Sequence, residues 1–261
     1  MTPPMPRPRY NVVAATELGP MIVNCNDTGV GRQLTASGSY EPDEMELFAV
    51  FARSLRRDDA VALDIGANIG THALRLAQLL PGGTVHAFEA QRLVYYMLCG
   101  NVALGSHENI HCHHAAVGKA PGRLAIPHFD HGRPLSFGSV EFGAAQREPI
   151  GQPRGDGARR QDDVPVVTID QLAFPAVHLL KIDVEGMELD VLCGGERTIR
   201  RDRPLIFLEY LKGDQHALAT WLLDAGYRVF PHRHNWLCLP PGSAIAPSGT
   251  EEITAQTLAR R

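Results

Sequence analysis

Two hydrophobic periods alternate along this chain from about residue 57 to residue 240. VALDIGANIG (61–70) opens with small and β-branched apolar residues, the pattern of a buried strand. It runs through glycines into a helical stripe of Ile69, Ala73, Leu74, Leu76, Ala77, Leu79 and Leu80. GTVHAFEA (83–90) predicts a second strand, and a helix over about 91–104 carries Leu93, Val94, Met97, Leu98, Val102 and Leu104. A third strand is expected near 109–113, and AAVGKAPGRLAIPH (115–128) reads as a hairpin around Pro121-Gly122. After an irregular stretch, VPVVTIDQL (164–172) restores the pattern, and VHLLKIDVEG (177–186) predicts a fourth core strand followed by a helix to about 200. PLIFLEY (204–210), a helix over about 214–225, and the strands 227–232 and 235–240 complete the series. Strands alternating with helices predict a parallel sheet covered on both faces.

Residues 1–56 form an N-terminal extension: a flexible tail over 1–9, short β pieces within 10–40, and an amphipathic helix over 41–56. Pro42 and the acids fall in that helix's first turn and the arginines at its end, as the helix dipole favours. Residues 57–240 form the α/β domain and 241–261 a polar C-terminal tail with room for a short helix. The stretch 129–163 is rich in Gly, Pro, Arg and Asp, and a loop of that length is expected to be a lid or disordered, with 147–163 leaning to disorder.

Composition narrows the function. The net charge of −4 over 261 residues supplies no basic field for nucleic acid. No apolar run approaches the roughly 18 residues of a membrane helix, and MTPPMPRPRY lacks the apolar core of a signal peptide. Cys25, Cys99, Cys112, Cys193 and Cys238 are odd in number and lack C-x-x-C spacing, which argues against a disulfide framework and suits a reducing cytoplasm.

The turn after the first strand holds Gly66, Asn68 and Gly70, with Asp64 before it. Glycines there let the backbone reach φ > 0 and let a ligand approach the main chain. The spacing is G-x-x-x-G, so neither the dinucleotide G-x-G-x-x-G nor the phosphate loop G-x-x-x-x-G-K-[ST] is present. Asp64 would repel a pyrophosphate and suits a cationic amino group. Four core strands end in acids, at Asp64, Glu89, Asp183 and Glu209, where open α/β sheets bind ligands. Glu89 lies 19 residues beyond Gly70, placed to accept both hydrogens of a ribose diol. Strand alternation puts Lys181 and Asp183 on one face, opposite Leu180 and Ile182, and a lysine on a buried strand needs a partner such as Asp183 or Glu185.

The segments LDIGANIGTHALRLA (63–77), VHAFEAQ (85–91), HHAAVG (113–118) and LLKIDVEGMELDVLCGG (179–195) resemble the FkbM-type methyltransferases, with weaker likeness at IFLEY (206–210) and NWLCLP (235–240). The resemblance implies a class I, Rossmann-like methyltransferase sandwich that binds S-adenosylmethionine (SAM), mostly parallel with a reversed strand near its C-terminal end. It places Asp64, Gly66, Asn68 and Gly70 at the methionine side; His72, which opens the first helix beside that turn, is placed either to touch the cofactor or to satisfy a helix-start amide. Glu89 would hold the ribose, Ala115 and Ala116 would lie near the adenine, and Asp183 would face the methyl group and acceptor. Two departures stand out: FEAQ where the family commonly has FEPQ or FEPN, and a poor match over 129–163 beyond SFGS (136–139). The acceptor implied is a small hydroxylated molecule, a sugar or secondary metabolite.

A weakly acidic hydroxyl needs a base or a metal. Asp183, Glu209 and Glu185 are the carboxylates available. Asp183 would act directly or through Mg²⁺ or another divalent cation shared with Glu209. His232 and His234 are further candidate bases. Two other readings compete: a nucleotide-sugar or short-chain oxidoreductase, whose Tyr-x-x-x-Lys pair is absent, and a SAM-binding scaffold without turnover. The 10–56 segment is placed either to cover the site or to form a homo-oligomer contact.

Overall fold

A computed structural model describes residues 10–142, 146–147, 149–153 and 161–258. The tail expected over 1–9 and part of the 147–163 stretch lie outside the described residues. The chain opens with an antiparallel hairpin of β1 (Asn11–Thr16) and β2 (Gly19–Asn24), followed by helices α1 (Val30–Ser37) and α2 (Pro42–Leu55). The α/β core then runs β3 (Val61–Ile65), α3 (Thr71–Leu79), β4 (Thr84–Glu89), α4 (Arg92–Leu104) and β5 (Ile110–His114). A small side sheet follows from β6 (Ala116–Val117), β7 (Gly122–Pro127) and β8 (Gln161–Val167). After α5 (Ile169–Leu172) come β9 (Leu179–Ile182), α6 (Glu188–Gly194), α7 (Glu196–Asp202), β10 (Leu205–Glu209), α8 (Gln215–Asp224), β11 (Arg228–His232), β12 (Asn235–Leu239) and α9 (Ala255–Leu258).

The main sheet has seven strands in the order β11-β12-β10-β9-β3-β4-β5. Only β12 is reversed, pairing antiparallel with both β10 and β11, so the reversal falls within the closing strand pair where it was expected. The chain winds outward from β3 through β4 to β5, then returns to β9 on the other side of β3. That reversal of direction between β3 and β9 opens a crevice beyond the carboxyl ends of the strands. Alternation sends Ala62, Val85, Ala87 and Leu179 into a core shared with α2, α3 and α4, and Leu63, Ile65, Leu180 and Ile182 into a second core under α6 and α8.

The N-terminal segment shares the first of these cores. Phe48 and Phe51 of α2 meet Phe207 of β10 edge-on, and Asn101 of α4 donates to the Ile22 carbonyl while accepting from the Ile22 N–H.

Three local expectations change. The hairpin expected over 115–128 does not form, because β8 inserts between β6 and β7, parallel to one and antiparallel to the other. A two-residue β6 cannot sustain a hairpin alone. The helix expected over 187–200 is two helices, broken where the Gly194 backbone passes the Gly118 carbonyl so closely that a Cβ would sit 2.0 Å from its oxygen. Within 10–40, where only short β pieces were expected, residues 30–37 are helical, the start held by the Asp27 carboxylate accepting from Gly29 and Gly31 N–H groups. Much of the loop beyond residue 129 is anchored: Leu135, Phe137, Val140 and Ile150 are buried in the first core. All five cysteines are free, and among the described residues no helix is long and apolar enough to cross a membrane.

Candidate active site

A cleft of about 260 Å³ occupies the crevice at the carboxyl ends of β3, β4, β9 and β10. Its floor is the turn between β3 and α3. Gly66 stands at φ +79°, and a Cβ there would lie 1.7 Å from the Asp183 carbonyl oxygen, so only glycine lets this turn seat against the end of β9. Gly70 adopts φ +98° as it enters α3. Asn68 is also left-handed, at φ +51°, a conformation that asparagine tolerates because its side chain bonds locally; here Oδ1 accepts from the Ile69 N–H at 2.8 Å.

Glu89, at the end of β4, is buried. Its Oε2 accepts from the Asn68 N–H at 3.0 Å and its Oε1 from the Gln91 N–H at 2.7 Å. Burial pushes its carboxyl up to about 7, against the pull of those two amides. Ala90, Gln91, Ala115 and Ala116, at the ends of β4 and β5, line the same cleft.

Beneath the turn, Asp64 is fully buried and is not among the cleft-lining residues. Its Oδ1 lies 3.2 Å from Lys181 Nζ. Lys181, also buried, donates to the Gly66 carbonyl at 2.8 Å and stands 3.7 Å from Asp183 Oδ2. The lysine therefore has two acidic neighbours, Asp64 and the expected Asp183, while Glu185 pairs elsewhere. Although burial works against its charge, Asp64 and Asp183 raise the Lys181 pKa and hold it protonated.

Asp183 is open to solvent within the cleft, its side chain 37% exposed. Glu185 sits at φ +58° and forms an ion pair with Lys212. Burial and the charge of Asp183 push Glu185 up, while the Lys212 ammonium pulls it back. Glu209, at the end of β10, is pushed up to about 9, first by burial and then by the charges of Asp183, Glu185 and Glu188. These influences favour the protonated form of Glu209. Its Oε2 has no hydrogen-bond partner among the described residues. Glu188 caps the turn before α6, its Oε1 accepting from the Val184 and Gly186 N–H groups.

The structure brings Gly66, Asn68, His72, Glu89, Ala115, Ala116, Asp183, Glu185 and Glu209 to one cleft, leaving Asp64 and Gly70 behind its wall. His234 also lines the cleft, whereas His232 packs near Phe207. The opposite wall comes from the two segments expected to cover the site or form a lid, but sequence reasoning did not single out its residues: Tyr40, Glu41 and Glu44 at the start of α2, Ser136, Gly138, Ser139 and Val140 from the anchored loop, and Lys212. One signal was present, since Glu44 falls on the same stripe as Phe48 and Phe51, at positions i, i+4 and i+7. Glu44 is indeed buried, accepting from Asn235 Nδ2 at 2.7 Å.

The sequence model of the Methyltransferase FkbM domain matches residues 64–229. Methyltransferase 1 of Beauveria bassiana (strain ARSEF 2860) is 27% identical over 190 residues, 69% of this chain and 76% of that protein. The 2-O-methyltransferase NoeI of Sinorhizobium fredii (strain NBRC 101917 / NGR234) is 28% identical over 165 residues, 60% of this chain and 65% of that protein. The crystal structure of Methyltransferase FkbM from Methylobacillus flagellatus KT aligns with a TM-score of 0.52 and 20% identity, covering 78% of this chain. This chain spans about half of that protein, 51% of its length. The likeness is one of fold: a mostly parallel Rossmann-like sheet of the class I methyltransferase type.

Proposed function

This chain belongs to the FkbM methyltransferase family, and we propose that it transfers the methyl group of SAM to a hydroxyl oxygen of a small hydroxylated acceptor, such as a sugar or secondary metabolite. The observation that supports this best is the placement of Glu89 and Asp183 on one cleft, on opposite sides of the Gly66 turn. When bound, SAM supplies a methyl group on a positively charged sulfur, open to in-line attack. Glu89 is placed to accept from the two ribose hydroxyls, and the small Ala115 and Ala116 leave room for a planar base beside it. The N–H groups of the glycine turn, together with the Lys181 pair beneath, fix the floor against which the methionine end lies.

Asp183 is the group placed to receive the acceptor's proton. An aliphatic hydroxyl does not ionise unaided at neutral pH, so a carboxylate at hydrogen-bond distance lowers the barrier as the oxygen attacks. Lys181 holds that carboxylate in place from beneath. Glu209, its protonated form favoured, is a donor in that form and so orients an acceptor oxygen by giving a hydrogen bond rather than taking a proton. Aligning the nucleophile with the methyl carbon at about 3–3.5 Å is the larger part of the task, and the walls from α2 and the anchored loop supply that confinement. The name of NoeI, a 2-O-methyltransferase, favours oxygen as the methylated atom.

The test is transfer itself. Purified protein incubated with methyl-labelled SAM and a panel of sugars and polyols should give a product in which one labelled methyl group replaces one hydroxyl hydrogen, read by mass spectrometry. Label appearing only on amines or carbon acids across a matched panel would overturn oxygen as the target.

A further inference from the structure

We propose that Glu41, Glu44 and His72 form a binding site for one divalent transition-metal cation, Zn²⁺ or Mn²⁺ in character, on the α2 wall of the cleft. Glu41 and Glu44 come from the start of α2, His72 from the first turn of α3, and all three line the cleft. Their ligand atoms lie within 4.8 Å of one another, and they are the group of this kind among the described residues. His72 Nε2 stands 3.5 Å from Glu44 Oε2 and 4.0 Å from Glu41 Oε2. A cation bound at about 2.1 Å to each ligand sets neighbouring ligand atoms roughly 3.0–3.4 Å apart, so a small carboxylate rotation closes the set.

The second observation concerns the imidazole. His72 is 6% exposed, and its Nε2 has no hydrogen-bond partner among the described residues. A buried ring nitrogen without a partner is costly, yet this one points between two carboxylates. The ring is held there by edge contacts with Phe48 and Tyr40. Glu44 is oriented as well: Asn235 Nδ2 occupies its Oε1 at 2.7 Å, leaving Oε2 on the histidine side. Metal ligands held in this way by outer partners are the usual arrangement.

One imidazole with two carboxylates suits Zn²⁺ or Mn²⁺ better than Mg²⁺, which takes oxygen ligands and retains water. Three protein ligands leave at least one coordination position open. Because all three residues line the cleft, that position is available to an oxygen of a molecule bound there. The site differs from a cation shared by Asp183 and Glu209, and it does not depend on the proposed methyl transfer.

The test is calorimetric titration of the metal-free chain with MnCl₂ and with ZnCl₂, backed by electron paramagnetic resonance of bound Mn²⁺, without SAM or acceptor. The expected result is one cation per chain, with affinity falling at least tenfold in His72→Gln and in Glu44→Gln and unchanged in Asp183→Asn. Should the two buried variants misfold by circular dichroism, the more exposed Glu41→Gln carries the same expectation. No binding of either ion at millimolar concentration, binding unchanged in the ligand variants, or binding lost in Asp183→Asn would each overturn the site. Calorimetry with S-adenosylhomocysteine (SAH) on the same metal-free sample reports separately on the SAM reading, so the two can fail independently.

Discussion

Lys181 Nζ lies 3.2 Å from Asp64 Oδ1, joining two residues directly opposite in the parallel register of β9 and β3. Both are buried, and the same ammonium donates to the Gly66 carbonyl and faces Asp183. One charge thus braces the glycine turn and the proposed base together. Replacing Lys181 with Met leaves the buried Asp64 without its cationic partner, which should cost about 3–5 kcal/mol in urea unfolding. Pairing it with Asp64→Leu should recover much of that loss, because removing both partners of a buried pair is far milder than removing one. A single variant within about 1 kcal/mol of wild type would contradict this account of the pair.

Gly66→Ala should separate the floor of the cleft from β9, since the added Cβ meets the Asp183 carbonyl at 1.7 Å in a left-handed backbone. SAH affinity, measured by calorimetry, is expected to fall at least tenfold, which is about 1.4 kcal/mol. Unchanged affinity would mean that the turn does not form the cofactor floor.

Glu89 gives the cleft a pH dependence. Burial raises its folded-state value from the ordinary 4.5 to about 7. The folded chain therefore holds a proton that the unfolded chain releases between those values. Its contribution to stability is full below pH 4.5 and declines as pH rises to about 7. In the proposed SAM complex the dependence runs the other way, because a carboxylate accepting from two ribose hydroxyls must be ionised. SAH affinity should rise from pH 6 to pH 8 in wild type and lose that slope in Glu89→Gln. An equal slope in both proteins would place the titrating group elsewhere.

Asp183→Asn should lower the rate of methyl transfer 10²- to 10⁴-fold, the usual contribution of a general base, while changing SAH affinity less than about threefold. Glu209→Gln should retain most activity at neutral pH, because an amide still donates where a protonated acid did, whereas Glu209→Ala should not. Steady-state kinetics of the three variants with one acceptor separates these roles.

The donor side of the cleft was legible because strand periodicity and glycine spacing are local. Glu89 and Asp183 follow directly from where strands end, and Gly66 from the turn a βα unit needs. Asp64 was readable as important but not as buried. Its partner, Lys181, lies 117 residues away in sequence, and only the β3–β9 register brings them together. The individual residues of the opposite wall were not legible for a similar reason, although 10–56 and 129–163 read as segments able to cover the site. Glu41 and Glu44 read as acids matched to a helix dipole until α2 packs on α3 and turns them toward His72. The β6–β8–β7 sheet was hidden because its middle strand lies more than thirty residues beyond the apparent hairpin.

The most direct measurement of the central claim is calorimetric titration of SAH into wild type and Glu89→Ala, with NAD⁺ as the control ligand. The account predicts one SAH per chain for wild type, an affinity at least tenfold weaker in Glu89→Ala, and no heat from NAD⁺. Absence of SAH binding to the folded wild-type protein, or equal binding by the two proteins, would contradict it.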